Sequence, residues 1–335
     1  MVFVTGATGL IGSYLLLELS RRGKKIRAMK RANSPLESVQ ELFEEFSGLD
    51  AFQKIEWIET DLLDIPSLME ALSGIETIYH TAASVGFDDR SRSLIHEINV
   101  TGTENLVNLA ISLEIPEFIY ISSIAVLDKL PHENWVTENS KWDPERPHSE
   151  YAISKKKGEM TVWRGSQEGL NVLVAYPSVV IGSQNGSRAS EKLFELSLKK
   201  KAYASHGLTG YVDVRDVAFC LTELVEQEKW NQLFLLTSED KSFLEIFDLV
   251  RKKRNLSPTK VLSKSKLKFV RFISQFSKWF GGPYMSKSSY LALTGNSRYS
   301  NQKIKDTIRI EFIPVEESLD FHSKRYENKL KSITP

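Results

Sequence analysis

A single cysteine, Cys220, stands in 335 residues, so neither a disulfide nor a cysteine metal site can form within the chain. No apolar run reaches membrane-spanning length. Basic side chains number 44 against 43 acidic ones, a net charge of +1, which gives no global field toward nucleic acid or a membrane. The six histidines, at 80, 96, 132, 148, 206 and 322, lack metal-ligand spacing and leave no case for a Ser-His-Asp triad. There is no internal repeat and no low-complexity segment. The first strand pattern opens at residue 2, which leaves no room for a signal peptide before it and makes a cytoplasmic location the default expectation. What remains is an ordinary globular composition, 41% hydrophobic and 26% charged, long enough for one large domain or a domain with an added lobe.

The informative stretch is the N-terminus. Val2, Phe3 and Val4 read as a buried strand, and Leu10 opens an amphipathic helix reaching about Arg22. Between them Gly6, Gly9 and Gly12 are spaced three apart. A glycine at 6 permits a tight strand-to-helix turn. One at 9 lets backbone approach a pyrophosphate, and one at 12 lets the helix pack close to the sheet. The free N–H groups of the loop and first helical turn, from Thr8 through Leu10 and Ile11, would then hold phosphates with the help of the helix dipole.

Strand and helix patterns alternate onward. Strands are expected at 25–30, 55–60, 77–80, 118–122 and 171–176, and helices at 34–47, 66–72, 91–113 and 150–168, with a proline- and tryptophan-bearing loop at 128–149. Ser34, Pro35 and Glu37 have the spacing of an N-cap, a first helical proline and a capping box. Strands separated by helices imply parallel pairing in a doubly wound α/β sheet, with ligands at the carboxyl ends of the strands. Residues 1–176 are read as the dinucleotide-binding domain, with returns to the sheet at about 210–240, and 177–335 as a smaller, mostly helical substrate lobe. Helices are expected there at 191–200, 214–228, 243–255, 264–280 and 315–331, with a strand at 233–236. Cys220 falls in an apolar helical pattern, as a buried thiol would.

Charge is uneven. Residues 34–76 hold eleven acidic side chains and one basic, whereas 241–282 hold eleven basic and two acidic. Solvated helix faces account for this, as would a lobe that attracts an anionic substrate or membrane surface. In the 264–280 segment Leu267, Val270, Phe272, Ile273, Phe276 and Phe280 alternate with lysines. The expected arrangement is an apolar face packed on the lobe, with contact to a membrane surface as the alternative.

Tyr151 and Lys155 lie four apart on a predicted helix and so share a face. A free tyrosine, with a pKa near ~10, is a poor acid at neutral pH; an adjacent ammonium favours the phenolate and makes the pair a tunable proton donor and acceptor. Ser122 and Ser123 end the fifth strand, where a hydroxyl would either meet a ligand oxygen or cap the following loop. Asn99 sits inside a long helix, facing either solvent or this constellation.

Together these stretches resemble an extended short-chain dehydrogenase/reductase of the NAD-dependent epimerase/dehydratase superfamily. The matching motifs are Thr5-Gly6-x-x-Gly9-x-x-Gly12, Asp61-Leu62-x-Asp64, His80-Thr81-Ala82-Ala83, Asn99-Val100-x-Gly102-Thr103, Ser122-Ser123, Tyr151-x-x-x-Lys155 and Tyr211-Val212-x-Val214-x-Asp216-Val217-Ala218. They run from residue 2 to about 220 in family order, and a looser match covers 283–321. The resemblance implies Tyr151 as general acid/base and Lys155 as the group that lowers its pKa and holds the nicotinamide ribose. It implies Ser123, with Ser122 second, as the hydrogen-bonding partner of the reacting oxygen, and Asn99 as support for the lysine and its proton relay. Asp61 and Leu62 would meet the adenine, Thr81, Ala82 and Ala83 would line the cofactor, and Pro177 and Val179 would flank the nicotinamide. A homodimer through the helices bearing Asn99 and Tyr151 is also implied.

The second strand ends Lys30-Arg31 with no carboxylate. An acid there would bind the ribose 2′-hydroxyl of NAD, whereas Arg31 suits a 2′-phosphate; NADP(H) is the expected cofactor, with NAD(H) left open. Among reactions, dihydroflavonol reductase and 3β-hydroxysteroid dehydrogenase-like hydride transfer on a small hydrophobic substrate is favoured, because Ser205–Tyr211 lacks the arginine usual in sugar-nucleotide members. Ser84, Phe87, Leu127, Tyr176 and Tyr211, with Trp135 and Trp142, are candidates for an apolar substrate pocket. A nucleotide-sugar epimerase or dehydratase is the alternative, and a non-catalytic cofactor-binding member is a third reading.

Overall fold

Parallel strands covered on both faces need apolar residues on both faces, and this chain supplies them. The computed structural model describes residues 1–85, 92–129, 133–184, 191–279 and 285–333. Its strands are β1 (Val2–Thr5), β2 (Ile26–Lys30), β3 (Glu56–Glu59), β4 (Thr77–His80), β5 (Glu117–Ile121), β6 (Asn171–Pro177), β7 (Val179–Ile181), β8 (Tyr203–Ala204), β9 (Leu208–Asp213), β10 (Gln232–Leu236), β11 (Glu239–Ser242) and β12 (Lys260–Val261). Seven of them form one sheet in the order β10-β6-β5-β4-β1-β2-β3, every pair parallel. The order reverses beside β1, the topological switch point at which doubly wound sheets bind ligands.

Side chains alternate between two helical layers. Val2, Val4, Ile119, Leu173 and Ala175 face Leu15, Leu16, Val39, Phe43, Val217 and Leu221. Phe3, Ile78, Phe118, Val172 and Val174 face Leu68, Leu106, Val107, Ala110 and Val162 on the other side. Cys220 is buried in the first layer, and burial pushes its thiol pKa up, so it is an inert packing group. A third cluster, around Phe194, Tyr211, Ile246 and Leu319, forms the core of the C-terminal part beside a small sheet ordered β11-β9-β7.

The structure departs from the sequence reading at four places. The capping box at Ser34 does not form. The helix begins at Glu37 with no side-chain cap, and the Ser34 hydroxyl instead accepts the Arg31 N–H at 3.3 Å within a turn. The expected helix 91–113 is interrupted: Arg92–His96 leads into a π-helical turn, Glu97–Thr101, before Gly102–Ser112 continues; residue 91 lies outside the described residues. The short strands β7, β8, β9, β11 and β12 were not anticipated. Finally, the helix Lys264–Trp279 leaves several of the expected apolar side chains exposed, the side chains of Phe276 and Phe280 lying outside the described ones. Leu267 is buried, whereas Val270 is 47%, Phe272 61% and Ile273 50% exposed.

Candidate active site

The carboxyl ends of β1, β4, β5 and β6 meet at one edge of the sheet, with Thr5 beside His80 in register. Gly6 turns the chain out of β1 at a φ of +64°, and a Cβ there would lie 2.6 Å from the Ala82 nitrogen. Only glycine meets both conditions. Gly12 is equally constrained: a Cβ would sit 2.2 Å from the Gly6 carbonyl oxygen, so the Leu10–Arg21 helix docks directly on the loop. Gly9 caps that helix without a side-chain bond, and the first turn carries no acid. The N–H groups at Leu10 and Ile11 lie beyond the reach of the helix's own carbonyls and face this edge. A bare, positively polarised helix start on a glycine cradle fits a dinucleotide pyrophosphate. At the end of β2, Lys30 is ion-paired with Glu59 at 2.8 Å, and Arg31 is exposed with no ion pair among the described residues.

Across the edge, the Glu150–Gln167 helix is capped by Ser149, whose hydroxyl accepts the Ala152 N–H at 3.1 Å. Its first turns carry Tyr151 and Lys155. The Ser123 hydroxyl lies on the Tyr151 phenol's side, where it favours the phenol's ionised form, and it accepts the Ala125 N–H at 3.2 Å, which fixes it at the end of β5. Burial pushes the phenol pKa up, and the Ser123 hydroxyl offsets part of this. Burial likewise brings Lys155 down to about 7, with the nearby Glu159 carboxylate opposing the shift. The ammonium lies 4.2 Å from the centre of the Tyr120 ring, a cation–π contact that retains some of its charge stabilisation.

The sequence profile of the NAD dependent epimerase/dehydratase family matches residues 2–232. The chain belongs to that family. It is an extended short-chain dehydrogenase/reductase, and its fold agrees with this: a crystal structure of gox2253 superimposes with a TM-score of 0.83 at 22% identity over 98% of both chains. The Bordetella bronchiseptica enzyme WbmH in complex with NAD+ gives 0.73 at 20% identity over 97% of both. Among curated proteins, cinnamoyl-CoA reductase 1 of Oryza sativa subsp. japonica is 26% identical over 330 residues, 96% of this chain and 88% of that protein.

Within this dehydrogenase fold, Asn99 is buried in the π-helical turn. Its side chain accepts the Ser84 N–H at 2.7 Å and donates to the Ser84 carbonyl and to the Ser154 hydroxyl, both at 2.9 Å. It thus clamps the loop after β4 to the helix bearing Tyr151; among the described residues its side chain makes no bond to Lys155. Asp61 holds its own turn by accepting the Leu63 N–H at 2.9 Å, and Leu62 is buried against Gly102. Thr81 donates to the Thr5 carbonyl at 2.7 Å, while Ala82 and Ala83 keep partial or full exposure beside Gly6. Pro177 and Val179 bracket the exit from β6.

Four expectations need correction. Ser122 does not face the cleft; its hydroxyl points inward to the buried Glu159 carboxylate at 2.9 Å. Tyr176 is a core residue, and burial together with the charge of the same glutamate pushes its pKa up. Tyr211 is fully buried in the C-terminal core. Trp135 borders a polar cavity of about 410 Å³ with Lys129, Asn134, Asn296 and Arg298, not an apolar one. Leu127 and Trp142 are partly buried on the second core layer, Trp142 stacked 3.5 Å from His148, and Phe87 lies outside the described residues.

Two residues of the site escaped the sequence reading. Glu159 is one. It gathers the Ser122 and Lys156 side chains at 2.9 and 3.0 Å beneath Lys155. The other is His80, quoted in the sequence reading only within the His80-Thr81-Ala82-Ala83 motif and given no role of its own there. Thr103 donates to the Asn99 carbonyl at 2.8 Å, so it accepts from His80 Nε2 at 2.9 Å. Nδ1 is then the acceptor for the Thr5 hydroxyl at 2.7 Å, and that hydroxyl accepts the Ala82 N–H at 3.2 Å. This chain ties the glycine loop to the helix of Asn99 and requires a neutral ring. Burial, with the Lys155 charge, pushes its pKa from 6.5 down to about 3. Stability contributed by the neutral ring is full above the unfolded pKa near 6.5 and is lost as pH falls toward 3. Thermal unfolding of the wild type should therefore weaken across that window, and His80→Asn should flatten the dependence; an unaltered slope would show that another group sets it.

Proposed function

We propose that this chain is an NADP(H)-dependent oxidoreductase acting on the carbonyl or hydroxyl carbon of a small, hydrophobic substrate. The observation that carries the reading is the placing of Tyr151 and Lys155 on one helix face, with Ser123 at the end of β5 beside the phenol, across the sheet edge from the glycine cradle. A bound nicotinamide supplies or accepts the hydride. The chain's own residues do the rest. The cradle from Gly6 to Gly12 would hold the pyrophosphate, and Lys155 would hold the ribose hydroxyls. Ser123 would orient the substrate oxygen toward the Tyr151 hydroxyl. In reduction, that hydroxyl gives its proton to the oxygen, and the Lys155 ammonium stabilises the phenolate that remains. Burial alone disfavours either charge, so the phenolate would form only as its proton is transferred, beside the Lys155 ammonium. The Glu159 carboxylate near Lys155 favours the protonated form of the lysine.

Similarity to a reductase across nearly the whole chain supports carbonyl chemistry. The structural likeness to an enzyme solved with NAD+ keeps epimerisation as the second reading. Arg31 supports the phosphorylated cofactor. Charge-assisted bonds of about 1.5–3 kcal/mol predict that Arg31→Ala weakens NADPH binding about 10- to 100-fold while altering NADH binding less than about threefold. Fluorescence titration with both nucleotides decides this, and equal losses would remove Arg31 from cofactor choice. The function itself is tested by NADPH consumption over a panel of aldehydes, ketones and acyl thioesters. Copurified NAD+ and turnover of sugar nucleotides without net redox change would favour the epimerase instead. The same reading includes a homodimer through the helices at 92–112 and 150–167, where Leu94 and Met160 are exposed.

A further inference from the structure

The helix Lys264–Trp279 is turned inside out. Leu267 and Ser274 are its buried positions among the described side chains, with Arg271 between them 5.9 Å from the Tyr290 ring. The Ser274 hydroxyl accepts the Met285 N–H at 3.1 Å. The opposite face carries Phe269, 63% exposed, beside Val270, Phe272 and Ile273. Residues three and four apart adjoin on a helix, so Phe269, Val270 and Ile273 form one continuous apolar strip, with Phe272 next to it. Large clustered apolar side chains on a surface mark a place of contact.

The charges around the strip identify what it meets. Lys264, Lys266 and Lys268 are exposed and make no ion pair among the described residues. No aspartate or glutamate occurs anywhere between Asp248 and Asp306, a span holding fourteen lysines and arginines. This concentration of one sign is invisible in the net charge of +1, because acidic residues elsewhere cancel it. Among the described residues no helix is long and apolar enough to cross a membrane. An apolar strip flanked by unpaired lysines and free of acids is the pattern of a helix lying in the headgroup layer of an anionic bilayer.

We infer that the Lys264–Trp279 helix seats the protein on the surface of anionic phospholipid membranes, with Phe269, Val270 and Ile273 inserted and Lys264, Lys266 and Lys268 at the headgroups. The inference is independent of the catalytic reading, since the helix contains none of the residues placed at the sheet edge. The test is flotation of the full-length protein with phosphatidylglycerol/phosphatidylcholine vesicles and with pure phosphatidylcholine vesicles. Binding is expected to the first and to be at least about tenfold weaker to the second. It should fall by a similar factor in Lys266→Glu/Lys268→Glu and in Phe269→Ser/Ile273→Ser, while melting temperature and NADPH affinity stay at wild-type values. Absence of wild-type binding to the anionic vesicles would overturn the inference. So would light scattering showing a wild-type dimer that Phe269→Ser/Ile273→Ser converts to monomer, because the strip would then be a contact between copies of this chain.

Discussion

Tyr151→Phe is expected to lower kcat by about 10²–10⁴-fold, the usual worth of a positioned general acid, while leaving the dissociation constant for NADPH within about twofold. The substitution removes one oxygen. It leaves the ring, the helix cap at Ser149 and the Lys155 ammonium over Tyr120 in place. Burial already opposes ionisation of the phenol, so the hydroxyl is not there for solubility or surface hydrogen bonding. Ser123 stands beside it, and that serine is held by the Ala125 N–H. Loss of the phenol oxygen should therefore not release Ser123 from its position. Stopped-flow measurement of hydride transfer with NADPH and an accepted carbonyl substrate checks the effect on chemistry, and nucleotide titration checks the control. Undiminished turnover would dismiss Tyr151 from proton transfer.

Gly12→Ala should have the second large effect, through geometry alone. The added Cβ would stand 2.2 Å from the Gly6 oxygen and 2.9 Å from the Ala7 Cα, both backbone atoms with nowhere to retreat. Overpacking of this kind costs about 1–3 kcal/mol. Here the strain falls on the loop that would grip the pyrophosphate, so the nucleotide dissociation constant should rise about 10- to 100-fold, on the scale of tenfold per 1.4 kcal/mol. Calorimetric titration measures it, and a melting curve separates a displaced loop from a lost fold. A variant that melts near the wild-type temperature and binds nucleotide normally would contradict the cradle.

The main sheet was legible in the sequence because buried parallel strands announce themselves. Phe3, Ile78, Phe118 and Val174 had no polar alternation to confuse them. β11 was hidden for the opposite reason: Glu239-Asp240-Lys241-Ser242 has the composition of a turn, and it becomes a strand only because β9 offers it a ladder. Periodicity could not show the π-helical turn, since one widened turn leaves the apolar pattern around Asn99 nearly unchanged. Nor could it show which way the 264–279 helix faces; a pattern reveals that a face is apolar, and tertiary contacts decide what covers it. At the site, Ser123, Tyr151 and Lys155 were readable from spacing and family resemblance. Glu159 and the role of His80 were not, because a buried charge or ring in a helix or strand has no local signature apart from partners 37 and 75 residues away. Tyr176 was misjudged because a strand side chain near the sheet edge points to one of two faces, and this one takes the core side with Val172 and Val174.

The sheet's last member, β10, comes from residues 232–236 but pairs with β6, which ends at Pro177. The partner for the outer edge of β6, at Val172, Leu173, Val174 and Ala175, is therefore synthesised more than fifty residues after β6 itself. An apolar strand with a free edge is a template for pairing with other chains. The ribosome must deliver β10 before that edge finds a neighbour, and any truncation upstream of residue 232 would leave a sheet with an adhesive rim.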